Sequence, residues 1–134
     1  MINKVPYLIS AIIIGLIIYQ SGFIAPSINK IIDKDNASIY LRFIWPKFFL
    51  IIAFLSIVSF IVIYFLDENQ LYPKYLSLGS FVLMILSYLL IPFINNARDL
   101  ENNSLFFYLH LSSMIFTLIT LIVNVLIIKF WNSN

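Results

Sequence analysis

The stretch Trp45–Leu66, WPKFFLIIAFLSIVSFIVIYFL, carries a single charge, Lys47, and the 19 residues after it carry none. At 1.5 Å per residue a helix of about 20 residues crosses the roughly 30 Å hydrocarbon core of a bilayer, so this run is long enough to span one. It lacks the polar–apolar alternation of a membrane strand. Three more runs share its character: Pro6 to Ile24, continuing past Pro26 to Ile32, Lys74 to Ile94, and Leu105 to Trp131. The polar segments Asn29–Arg42, Asp67–Pro73 and Asn95–Ser104 separate them. Short connections favour antiparallel neighbours, and the expected fold is an all-α membrane protein, an up-down bundle of four transmembrane helices forming one domain over residues 1–134. The expected spans are about 6–32, 43–66, 74–96 and 104–131. Pro6, Pro73 and Pro46 are each placed in a first helical turn, where a missing N–H is tolerated.

The whole chain agrees with that solvent. Of its 134 residues 62% are hydrophobic, 17% aromatic and 10% charged, and the mean hydropathy is +1.00. Soluble domains carry about 25% charged residues, and a small one cannot bury this much apolar surface. The net charge of +2 includes no basic stripe, so nucleic acid is not an expected partner. The bilayer is, together with other membrane subunits or further copies of the chain. The absence of cysteine excludes disulfides, thiolate nucleophiles and Cys-ligated metal. Lys4 followed by Leu8–Tyr19 has the layout of a signal peptide, but apolar residues resume at Phe23 and no small-x-small cleavage pattern appears. The 26 Ile against five Ala look like AT-rich coding and hint at a bacterium. An inner (cytoplasmic) membrane is the expected location. Lys30, Lys34, Arg42, Lys47 and Arg98 on one side outnumber Lys4, Lys74 and Lys129 on the other, placing loops 29–42 and 95–104 in the cytoplasm.

Helices in lipid associate through close packing of small residues and inter-helix hydrogen bonds. Each span shows such a stripe at three- and four-residue steps. They are Ala11, Gly15, Ile18, Gly22 and Ala25; Ala53, Ser56 and Ser59; Ser77, Ser80, Met84 and Ser87; and His110, Ser113, Thr117, Thr120 and Asn124. All four are expected to face the bundle interior. The last stripe also admits a reading as a polar path for a proton or small solute.

Polar chemistry collects at one membrane face, in Gln20, Asn29, Arg42, Lys47, Asn95, Asn96, Arg98, Asp99 and His110. His110 is the only histidine. An imidazole below the headgroups can ligate haem or copper, with Met114 one turn on and Met84 on the neighbouring helix as soft ligands. It can equally relay a proton, or serve packing through a ring N–H on a carbonyl. All six Asp and Glu fall outside the apolar runs, which argues against proton-coupled cation export by a small-solute transporter. No nucleophile–base pair is visible. The residues read best as a non-enzymatic membrane protein, free or an accessory subunit of a complex.

Four segments form a set: Gly22-Phe23-Ile24-Ala25-Pro26, Arg42-Phe43-Ile44-Trp45-Pro46-Lys47-Phe48-Phe49, Asn95-Asn96-Ala97-Arg98-Asp99, and Phe107-Tyr108-Leu109-His110-Leu111-Ser112. Together they resemble the bacterial four-helix family called domain of unknown function 4149, which is similar to eukaryotic transmembrane protein 205. The resemblance runs from Gly15 to about Asn124, with Trp45 where Phe is expected. It implies a four-helix integral membrane protein and no reaction. More distantly the layout is similar to small membrane proteins linked to copper resistance and haem metabolism.

Overall fold

The computed structural model describes residues 4–66 and 70–131. Asp67 and Glu68, expected in a solvated turn, lie outside the described residues. The first span is one rod, Val5–Ile31, made of α1 (Val5–Tyr19), a π-helical turn (Gln20–Ile24) and α2 (Ala25–Ile31). It is followed by α3 (Lys34–Leu66), α4 (Leu71–Asp99) and α5 (Asn103–Phe130), and the described residues contain no strand. All four spans are long and apolar enough to cross a membrane. The chain is an all-α four-helix membrane bundle. The helices close into a ring: α1 packs on α3 and α5, α3 on α4, and α4 on α5. Among the described residues the diagonal pairs α1–α4 and α3–α5 make no close backbone approach.

The seam joining α3, α4 and α5 is built as its small polar residues dictate. Ser56 and Ser80 share a hydrogen bond of 2.9 Å, and Ser59 and Ser77 one of 3.2 Å. The Asn124 side-chain amide donates to Ser80 Oγ at 3.1 Å and to the Thr120 carbonyl at 2.8 Å. Hydroxyl-sized side chains let the helix backbones approach, and each bond removes a polar group that lipid cannot satisfy. Thr117 and Thr120 donate instead to carbonyls one turn back, at 2.9 and 2.8 Å.

The first span departs from its expected seam. Ala11, Gly15, Ile18 and Gly22 are exposed, and a Cβ built on Gly15 or Gly22 meets nothing within 4 Å. Its buried face is Pro6, Ile9, Ser10, Ile13, Ile17 and Gln20. The isoleucines fill a core with Phe48, Phe49, Ile52, Ala53 and Met84. Here α3 supplies Phe48, Phe49 and Ile52 beside the small Ala53, the first span meets them with isoleucine, and its own small side chains face outward.

The helix ends also extend beyond the apolar runs. Segment 29–42 was expected as a polar loop, yet α3 begins at Lys34. Asp33 accepts from the Asn36 backbone N–H at 3.1 Å and from its side-chain amide at 2.8 Å, which starts the helix early. Pro46 therefore lies inside α3 rather than in its first turn. An internal proline disturbs carbonyls of the preceding turn, and the Lys47 ammonium donates to one of them, Phe43 O, at 3.1 Å. The α4–α5 turn is a Schellman closure: Asn102 N–H bonds Ala97 O at 2.9 Å and Glu101 N–H bonds Arg98 O at 3.1 Å. Glu101 takes the left-handed conformation this requires, with φ 54°.

Two stability outcomes follow. Asn124→Ala should lower stability in mild detergent by about 0.6–1.7 kcal/mol, the range of inter-helix hydrogen bonds in membranes, read as a lower thermal midpoint. Glu101→Gly should raise the midpoint, by the equivalent of about 1 kcal/mol, because glycine adopts the left-handed region without a Cβ clash.

Candidate functional site

Three spans carry a proline towards the same membrane face, in Ala25-Pro26, Trp45-Pro46 and Ile91-Pro92. The residue preceding each proline lines one cavity of about 490 Å³. In the first span the proline follows the π-helical turn, where the Ala25 N–H reaches back five residues to Gln20 O. Such wide turns are frequent at functional sites. Beyond this turn the span keeps company with α3 only: α2 packs on α3 and makes no close approach to α5. The cavity occupies the resulting gap.

Its walls come from all four spans. Ile17, Ile18, Ser21, Gly22, Ala25 and Asn29 form one side, and Ser38, Leu41, Arg42, Trp45 and Phe49 of α3 the next. From α4 come Ile91, Ile94, Asn95 and Arg98, and from α5 Phe106, His110, Ser113, Met114, Thr117, Leu118 and Leu121. Ile18 is 49% and Leu118 55% exposed, so the cavity is a groove open on its flank between the first span and α5. From Asn29 to Ile17 it runs about 18 Å at 1.5 Å per residue, from headgroup level towards the bilayer midplane.

The polar end of the groove is organised by two arginines. Arg42 of α3 forms a bidentate pair with Asp99 at the end of α4: Nη1 donates to Oδ2 at 3.2 Å and Nη2 to Oδ1. Arg42 Nε is buried and has no hydrogen-bond partner. The Arg98 guanidinium lies 5.2 Å from the centre of the Phe106 ring, whose other neighbour is the His110 ring, stacked at 5.5 Å with 6° between planes. Arg98 has no carboxylate partner among the described residues, and none of their Asp or Glu residues lines the groove.

Of the polar cluster expected from sequence, Asn29, Arg42, Asn95, Arg98 and His110 line this groove, and Asp99 is joined to it through Arg42. Gln20, Lys47 and Asn96 do not line it. Gln20 faces the core with a buried Nε2 that lacks a partner, while Lys47 and Asn96 are exposed. Met114 lines the groove one turn from His110. Met84 is fully buried in the core. The Asn124–Ser80 bond sets the antiparallel register of α4 and α5, so Met84 lies level with Thr120, about 15 Å below His110. Among the described residues no three His, Cys, Asp or Glu side chains come together to hold a metal ion. Sequence reasoning missed Gly22 as a wall of the groove, along with Ser38, Trp45 and Phe106. The recurrence of proline in three spans at one face was the signal that could have found the gap.

Comparison with known proteins returns no matching family model, no matching curated protein and no matching solved structure. All four segments quoted above contribute to the walls of the groove, through Gly22 and Ala25, Arg42, Trp45 and Phe49, Asn95 and Arg98, and His110.

The cap beneath this face is sensitive to pH. The two bonds from Asn36 hold the Asp33 carboxyl below the usual carboxylate range. A depressed carboxyl stabilises the folded state above the ordinary carboxylate pKa of about 3.9, and loses that contribution as pH falls through its folded value. The Asn36 amide should thus lose hydrogen-exchange protection below about pH 4, and Asp33→Asn should make its protection insensitive to pH over that range.

Proposed function

We propose that this membrane protein is a non-enzymatic binder of a membrane-borne small molecule, held in the groove between the first span and α5. One observation carries the reading: a cavity of about 490 Å³, polar at headgroup level and apolar below, opens sideways where lipid lies. Its volume falls within the range of small-molecule sites. A flank opening lets a hydrophobic ligand enter without leaving the bilayer. Among the described residues no carboxylate lines the groove, so they do not offer the proton-exchanging acid of cation exporters. His110 and Ser113 both line the groove, but among the described residues no hydroxyl is hydrogen-bonded to the His110 ring, so no activated nucleophile–base pair is formed. Binding of this kind serves a free protein or an accessory subunit of a larger complex. We place the chain in a bacterial cytoplasmic membrane on its isoleucine-rich, alanine-poor composition, and segments 29–42 and 95–104 inwards on the charge asymmetry. Membership of the domain of unknown function 4149 family is likewise our proposal, on the four quoted segments.

A second reading, haem or copper on His110, draws on His110 and Met114 sharing the α5 wall. The donor set fits copper poorly, because Met84 is remote and, among the described residues, no further soft or imidazole donor lines the groove. An absorption spectrum and metal analysis of pure protein decide it: a Soret band or stoichiometric copper supports the second reading, and a colourless, metal-free protein that takes up neither sinks it.

Cavity filling tests the leading reading. Gly15 and Gly22 both face open space, but only Gly22 lines the groove. Native mass spectrometry after extraction in mild detergent should find a retained small-molecule adduct on wild type and on Gly15→Leu, reduced at least tenfold on Gly22→Leu. No adduct on any of them, or equal retention on all three, removes the reading.

A further inference from the structure

We infer that the ligand is a single-chain amphiphile with an anionic phosphate or carboxylate head, an inference that rests on the binding reading above. The charge at the mouth is unbalanced. Two guanidiniums, Arg42 and Arg98, stand against one carboxylate, Asp99, and that carboxylate occupies the terminal nitrogens of Arg42. Arg42 Nε is left as a buried donor with nothing to donate to. Arg98 keeps its whole fork for another acceptor and is steadied over Phe106 at 5.2 Å. Guanidinium is the side chain best matched to carboxylate and phosphate oxygens, and near hydrocarbon an unmatched one favours an anionic partner strongly. Asn29 and Asn95 line the same end and add amide groups.

Below the arginines the walls become apolar, with Ile17, Ile18, Phe49, Ile91, Leu118 and Leu121 reaching towards the midplane. That length suits an extended chain rather than a compact solute. The enclosed volume is sized for one chain. At about 30 Å³ for each water-sized group, 490 Å³ takes roughly sixteen such groups, enough for one chain and its head. A two-chain lipid would leave its second chain outside the groove, on the open flank between the first span and α5. Gly22 matters because its missing side chain leaves the chain's path open.

The groove contains its own reporter. Trp45 lines it, and the only other tryptophan, Trp131, lies beyond the far end of α5. Trp131→Phe protein in nanodiscs of zwitterionic lipid at pH 8 is titrated with three probes brominated in mid-chain: a fatty acid, a lysophosphatidic acid and an uncharged monoacylglycerol. Quenching of Trp45 should saturate, with the anionic probes reaching half-effect at a tenfold or lower mole fraction than the monoacylglycerol. Comparison of the two anionic arms tells a carboxylate from a phosphate preference. Arg98→Gln should erase the tenfold preference and Arg98→Lys should keep part of it, with circular dichroism confirming that both fold. Gly22→Leu should weaken all three probes. Equal half-effects for charged and uncharged probes would overturn the anionic head while leaving the binding reading intact. Displacement of the probe by an equal mole fraction of two-chain phosphatidylglycerol would overturn the single chain. Quenching that never saturates and ignores Gly22→Leu would overturn both readings together.

Discussion

The bundle depends on one constraint: hydrocarbon offers no hydrogen bonds, so polar groups in the spans must find partners within the protein. The Ser56–Ser80–Asn124 chain meets it by making three helices satisfy one another. Because hydroxyls and a single amide are short, the constraint also sets the spacing of α3, α4 and α5. Their apolar side chains are then free to face lipid, where burial against a neighbouring helix gains little. The exposed Leu, Ile and Phe along these helices follow from that arrangement and are not a folding defect.

The first span has no comparable seam. Ser10 Oγ and Gln20 Nε2 are buried without partners, as is Ser87 Oγ on α4. Isoleucine volume holds α1 in place, and it does so only as far as the core of Ile9, Ile13 and Ile17 extends. Beyond Ile17 the π-helical turn and Pro26 intervene, and the span stays with α3 while α5 stands apart. Strong pairing of three helices and weaker pairing of the fourth thus place the opening at one corner of the bundle. The cations gather at this corner because α3 and α4 both carry arginine at that level, and only one of the two is matched by an acid.

The sequence made the four spans and the α3–α4–α5 seam legible, since apolar length and small-residue spacing act locally. The start of α3 was less legible, because a polar helix turn at headgroup level looks like a loop until Asp33 is recognised as its cap. The first-span stripe was misread for a related reason: Gly15 and Gly22 permit close packing but do not require it, and the partner face decides which helix contributes bulk. His110 and Arg98 were singled out as chemically notable. Their meeting across Phe106 depends on the Schellman turn at Glu101, a feature of backbone geometry with no glycine to announce it. The groove itself was not legible, because it consists of the space between four distant segments.

The π-helical turn has a genetic reading as well as a structural one. It adds about one residue to a helical turn, which rotates everything beyond it by about 100° relative to a continuous α-helix. The first span is therefore two helical segments of unequal length, α1 and α2, that share a backbone and differ in phase. Phase in a helix is counted in whole residues, so the loss of a single codon between positions 20 and 24 is the smallest change that would bring the two segments back into one phase.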